Sequence, residues 1–226
     1  MKQHANTKGN GVPPKNRPRS RRKRIGDGDV QSEWQLGLES SSDIVDRLRK
    51  KAEDGDAAAQ CKLGLYFYSV AGGELLGLER YENLMCEAIK WFRKAAEQGY
   101  SNAQYNLAIC YYYGNGVEQD YEEAVRWLQK AVEQGNAAAQ CMLGARYYDG
   151  KGIKQDYKEA VRWFLRAALQ GSATAQYNLG RCIFDGKGAK EDHEEAVKWI
   201  RKAAKQGNED AKMDLLFWNR MKTIMK

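Results

Sequence analysis

A 36-residue period runs through most of this chain and decides what it can fold into. Trp91, Trp127, Trp163 and Trp199 share one register. So do Gln104, Gln140 and Gln176, and Asp120, Asp156 and Asp192. The glycine pairs Gly114/Gly116, Gly150/Gly152 and Gly186/Gly188 keep the same step, as do Gly99, Gly135, Gly171 and Gly207. A fixed period of this length signals an array of equivalent supersecondary units, stacked so that each buries the face its neighbour leaves open.

Each unit reads as helix, loop, helix. In the clearest copy the first helix runs from about Ala137 to Tyr148, with Ala139, Leu143, Gly144 and Tyr147 on one face. Gly144 recurs as Gly64, Ala108 and Gly180. A small residue costs up to ~1 kcal/mol of helix propensity, so close approach of a neighbouring helix is the expected compensation. After a Gly-x-Gly loop, the second helix opens at an Asp three residues before a Glu: Asp120/Glu123, Asp156/Glu159, Asp192/Glu195. This is an Asp form of the capping box. Ala124, Trp127, Leu128 and Ala131 share a face, as do Ala160, Trp163, Phe164 and Ala167. Gly135 and its equivalents end the helix with positive φ. The tryptophan column is expected to be inter-helix core.

The pattern A-x-x-x-L-G-x-x-Y-Y-x-G-x-G, followed by D-Y-x-x-A-x-x-W-x-x-x-A-x-x-x-G, resembles the Sel-one-like repeat family, a relative of the tetratricopeptide repeat. Residues 136–171 match along the whole unit, 101–135 and 172–207 almost as well, and the likeness covers about 44–211. The resemblance implies an all-α, right-handed solenoid of stacked antiparallel helix pairs and an adaptor role, without naming a partner. The copy at 57–99 departs from the pattern. Gln60 to Trp91 spans 31 residues where Gln104 to Trp127 spans 23, so eight extra residues are expected in its loop, near Gly72–Tyr81. It also lacks the Asp cap.

The organisation that follows is a basic tail over 1–30, expected to be disordered because it has little apolar surface to bury and its charges repel, an N-terminal capping half-repeat over 31–56, four repeats over 57–207 and a capping helix over 208–226. Ile44–Gly55 reads as a second helix without its first, and Asn208–Lys226 as a first helix without its second. Leu215, Leu216, Phe217 and Trp218 make that last helix apolar, and capping of the preceding pair is its expected role.

Little else in the chain points to chemistry. His4 lies in the tail, and His193 replaces Tyr121 and Tyr157 at a helix start. The five cysteines, Cys61, Cys86, Cys110, Cys141 and Cys182, form no CxxC pair and suit buried thiols in a reducing compartment. Equivalent cysteines in stacked repeats project in parallel, so no metal set is expected. The Gly-x-Gly loops lack the strand and third glycine of a dinucleotide fingerprint. No catalytic residue and no cofactor is expected.

The candidate surface is the groove of the first helices. Asn106, Ile109 and Tyr113, then Met142, Ala145 and Arg146, then Asn178 and Arg181 differ between copies while core positions hold. Positions free of packing are where partner specificity can be written. A peptide or helix of another protein is expected there, with Arg146 and Arg181 meeting acidic side chains.

Charge is confined to one end. Residues 1–25 hold nine Lys/Arg and no acid, while the remaining 28 basic residues face all thirty acids. The tail is therefore about +9 and the rest about −2. Lys15, Arg17, Arg19, Arg21, Arg22, Lys23 and Arg24 resemble a nuclear localisation signal, and equally suit nucleic-acid phosphates or simple solubilisation. Phosphorylation of Ser20 would weaken either role. No aromatic residue interleaves with them. The near-neutral body argues against nucleic acid as the main partner, because a basic stripe on the folded part would be expected. No window approaches ~18 apolar residues, so no membrane span is expected. Nor does the tail read as a secretory or mitochondrial leader. The expected setting is intracellular, cytoplasmic or nuclear.

Overall fold

The computed structural model describes residues 41–72 and 77–224, with side chains over 43–72 and 77–218. The basic residues Lys15 to Arg24 and residues 31–40 of the N-terminal capping segment lie outside the described residues. Among those described there are ten helices and no strand. They are α1 (Ser41–Glu53), α2 (Ala57–Ala71), α3 (Leu78–Glu97), α4 (Ser101–Tyr113), α5 (Tyr121–Glu133), α6 (Ala137–Asp149), α7 (Tyr157–Leu169), α8 (Ala173–Phe184), α9 (His193–Lys205) and α10 (Glu209–Ile224). Each packs on its neighbours in sequence, with α2/α3, α4/α5, α6/α7 and α8/α9 as the tight hairpins. The array is an α-solenoid. Among the described residues α1 has the register of a second helix and α10 that of a first helix.

The recurring small residue is where each hairpin closes. A Cβ added to Gly64 would sit 2.6 Å from Phe92 Cδ1, one on Gly144 2.8 Å from Phe164 Cδ1, and one on Gly180 2.6 Å from Ile200 Cγ1. In the remaining copy Ala108 takes the small position, and the second helix offers Leu128 rather than Phe or Ile. The fully enclosed column is therefore Phe92, Leu128, Phe164 and Ile200, none more than 2% exposed. This corrects the expectation for the tryptophans. Trp91 and Trp127 are buried, whereas Trp163 and Trp199 are only half-buried. Each indole lies at the edge of its helix face, beneath a cation three residues on: Lys94, Lys130, Arg166 and Lys202, at 4.6, 4.1, 4.6 and 4.1 Å.

Most helix starts carry a side-chain cap, the exceptions among the repeats being α3 and α4. The N–H groups of Ala59, Ala139, Ala175 and Ala211 donate to the side chains of Asp56, Asn136, Ser172 and Asn208. Asp120, Asp156 and Asp192 each accept from two N–H groups of the second helix. The reciprocal half of a capping box is absent. The Asp N–H groups donate instead to Tyr111, Tyr147 and Ile183 carbonyls of the first helix. Glu123, Glu159 and Glu195 turn outward to Arg126, Arg162 and Lys198.

The glutamine column locks the joints. Gln60, Gln104 and Gln176 donate to the carbonyls of Ala52, Ala96 and Ala168 on the preceding second helix. Gln60, Gln104, Gln140 and Gln176 then accept from Gln98, Gln134, Gln170 and Gln206 at 2.8–2.9 Å. One buried amide thus ties three helices, at roughly 1 kcal/mol net per bond.

In the first copy the eight extra residues do not lengthen the loop. α2 and α3 have 15 and 20 residues where α4 and α5 have 13 each, and the connection shortens by one. Leu78–Leu84 carries Glu and Arg and no proline, so it extends the helix instead.

Candidate functional site

Consecutive first helices meet side by side, and the expected groove residues lie along these joints. Several are packed rather than free. Asn106 is buried, its Nδ2 donating to Cys61 Sγ at 3.7 Å. Ile109 is buried as well. Arg146 is only 6% exposed, its guanidinium 3.8 Å from the Tyr112 ring centroid and 3.1 Å from Asp149. For these three the expectation of freedom from packing is corrected. Register gives the reason for Arg146, since it stands where Cys110 and Cys182 stand, and all three face the preceding helix. Tyr113 is exposed at 49%, and Met142, Ala145 and Asn178 are half-buried. Arg181 is exposed but engaged, 3.1 Å from Asp214 and 3.9 Å from Asp185. Its expected meeting with a partner's acid would have to displace these.

One joint is open. A half-open cavity of about 240 Å³ lies between α6 and α8, floored by Phe164 of α7. Ala145, Tyr148 and Asp149 form one wall, and Asn178, Arg181, Cys182 and Asp185 the other. The sequence reading therefore named three of its residues, Ala145, Asn178 and Arg181. It missed Tyr148, Asp149, Phe164, Cys182 and Asp185, of which Cys182 carries the signal: a small residue where Arg146 is large. Burial pushes the Cys182 thiol up to about 11, so the thiol is neutral at pH 7 between the charged Arg181 and Asp185.

The surroundings repeat from joint to joint. The middle residue of each Gly-x-Gly loop reaches back to a ring of the previous first helix. Asn115 Nδ2 donates to Tyr68 Oη at 2.9 Å, and Lys187 Nζ to Tyr148 Oη at 2.9 Å. Lys151 lies 5.8 Å from the centroid of Tyr112. The second glycine of each pair presses on the preceding second helix. A Cβ on Gly152 or Gly188 would run into the carbonyl of Tyr121 or Tyr157. These glycines therefore serve the stacking of repeats as well as the turn.

On α10, Trp218 stacks on Phe184 at 4.7 Å, which in turn stacks on His193 at 4.4 Å. This side of the helix caps the array as expected. Met213, Leu216 and Phe217 remain more than 60% exposed. Leu216 occupies the small-residue position, so a further second helix cannot close there as in the other repeats. Among the described residues no group of three or more potential metal ligands comes together, and no helix is long and apolar enough to cross a membrane.

A family model described as Sel1 repeat matches residues 57–100, 101–136, 137–172 and 173–208. A Sel1 repeat protein from Oxalobacter formigenes superposes with a TM-score of 0.70 at 33% identity, covering 80% of this chain and 70% of that one. A protective antigen of uropathogenic Escherichia coli displaying an SLR fold gives a TM-score of 0.65 at 41% identity, over 74% of this chain and 34% of the antigen. An F-box protein of Arabidopsis thaliana is 34% identical over 85 residues, 38% of this chain and 21% of its own length. The chain thus spans only a minor part of the last two.

Proposed function

This chain belongs to the Sel1 repeat family, and we propose that it is a protein-interaction scaffold whose first-helix face receives an extended segment or a helix of a partner. Proteins built from these repeats are generally protein-interaction scaffolds, and the fold is typically non-enzymatic. The observation carrying the proposal is the half-open α6–α8 cavity, apolar beneath and polar at its rim, between an α4–α6 joint that Arg146 fills and an α8–α10 joint that Trp218 fills. Such a cavity suits one inserted side chain of a partner, with Tyr113, Met142 and Asn178 beside it as further contacts. Captured partners should be lost from Ala145→Glu, which places a charge in the cavity mouth, and retained by Arg162→Glu on the outer face, both with unchanged circular dichroism. Equal capture by the two variants rejects this face as the docking surface.

The tail supplies the address in this reading. Lys15, Arg17, Arg19, Arg21, Arg22, Lys23 and Arg24 form a basic run without acids, suited to an import receptor and to a protein working in cytoplasm and nucleus. A fluorescent fusion lacking residues 1–25 should lose nuclear enrichment, and an unchanged distribution rejects the role.

A further inference from the structure

The joints between first helices form a series that carries Cys110, Arg146, Cys182 and Trp218 in turn at one central position. In the α4–α6 joint, the Arg146 guanidinium lies flat on Tyr112 and pairs with Asp149 at 3.1 Å, with Tyr121 packed 5.1 Å behind Tyr112 and Lys151 nearby. In the α8–α10 joint, Trp218 lies on Phe184 with His193 behind. In the α6–α8 joint, Tyr148 replaces Tyr112, Tyr157 packs 5.1 Å behind it, Lys187 replaces Lys151 and Asp185 replaces Asp149. Only Arg146 has no counterpart, because Cys182 stands there. The cavity opens at this place, lined by Tyr148, Asp185 and Cys182.

The neighbouring joints show what such a slot accepts: a planar group laid on the ring. Its chemistry follows from which neighbour it matches. The tryptophan joint has phenylalanine for its ring and Met221 where Asp185 would be. The arginine joint has tyrosine and an aspartate, as the open one does. Asp185 is also held by only a long ion pair. Its nearest cation is Arg181 at 3.9 Å, and Arg181 is held more closely by Asp214 at 3.1 Å. The α2–α4 joint offers no carboxylate, since Tyr113 stands at that position.

Resting on the scaffold reading, we propose that the α6–α8 slot takes an arginine side chain of a partner protein, its guanidinium stacked on Tyr148 and paired with Asp185. A guanidinium suits both contacts because it is flat, weakly hydrated and able to engage a carboxylate with two donors. A lysine ammonium offers a point charge and no plane. Selectivity for arginine over lysine is therefore the signature of the slot.

The test titrates the full chain with the capped peptides acetyl-Gly-Arg-Gly-amide and acetyl-Gly-Lys-Gly-amide, followed by amide NMR shifts. The arginine peptide should saturate shifts confined to residues 145–149 and 178–187, and the lysine peptide should bind at least ~10-fold more weakly. Cys182→Arg, which rebuilds the Arg146 arrangement from within, should abolish the response. Asp185→Asn should weaken it ~10-fold or more while leaving the helix signal intact. Equal response to both peptides, no localised response, or a response surviving Cys182→Arg overturns the proposal. Occupancy by the chain's own tail also overturns it. That outcome would appear as slot shifts on replacing Arg17, Arg19, Arg21, Arg22 and Arg24 by glutamine with no peptide added. A protein that still captures its partner through the first-helix face after Cys182→Arg keeps the scaffold role and loses only the arginine slot.

Discussion

Replacing Gly144 by alanine measures how tightly the hairpins close. The new methyl would lie 2.8 and 2.9 Å from Phe164 Cδ1 and Cε1 and 3.2 Å from the Ala160 carbonyl oxygen. Carbon pairs settle at ~3.5–4.0 Å, so α6 and α7 must part by roughly 0.7–1 Å or the ring must leave its rotamer. Overpacking of this kind costs roughly 1–3 kcal/mol, against ~1 kcal/mol of helix propensity that alanine returns. The expected net loss is about 1 kcal/mol, where an exposed helical glycine would show a gain. Phe164→Leu alone leaves a gap beside Gly144 and should cost roughly 1–2 kcal/mol. The double variant recreates the Ala108/Leu128 combination of the preceding repeat. It should be less destabilised than the two single effects together by ~1 kcal/mol. Urea unfolding followed by far-UV circular dichroism, with m-values compared, gives all four corners of the cycle. Single effects adding within ~0.5 kcal/mol, or Gly144→Ala exceeding wild type in stability, would refute the close-approach argument.

Gly152→Ala should be more damaging than Gly171→Ala by ~1 kcal/mol or more in the same assay. Both residues have positive φ, but only Gly152 faces backbone of the preceding repeat. Gln104→Leu should cost roughly 1–3 kcal/mol, because the buried Ala96 carbonyl loses its side-chain donor. Backbone N–H groups of Glu195 and Glu194 hold the Asp192 carboxyl below the usual carboxylate range. A depressed folded-state value means the contribution is present above the unfolded value of ~3.9 and is lost as pH falls through the folded one. Asp192→Asn should flatten the acid limb of a melting-temperature profile, and an unchanged limb contradicts this. Burial pushes the Cys61 and Cys110 thiols up to about 12, and Cys86 is the exposed cysteine. A thiol reagent at mild alkaline pH should therefore modify Cys86 first and reach Cys61 and Cys110 only on unfolding, as peptide mapping would show.

The sequence made the solenoid legible because its signals are local and repeated. The Asp caps recur in three copies and the small residue at the hairpin closure in four, and both work within one hairpin. What was misread concerns contacts between repeats. The glutamine column was visible as a period, but its partners lie on the preceding helix and at the end of its own hairpin, so its role was hidden. Arg146 was read as a surface cation from its type. Its register with buried Cys110 and Cys182 marks a packing position, and that comparison was available in the sequence. The longer Gln60–Trp91 spacing reads as a longer loop when no Asp cap marks the second helix start, although Leu78–Leu84 favours helix. The slot at Cys182 emerges only when three joints are compared in space.

Site-specific photo-cross-linking in cells tests the docking face most directly. A benzophenone amino acid at Tyr113 or Arg181 on the first helices is compared with the same residue at Arg126 or Arg162 on the second helices, all exposed positions. Partner adducts should form from positions 113 and 181 and be absent from 126 and 162. Adducts from the second-helix positions with none from the first would place the partner on the opposite face and contradict the account.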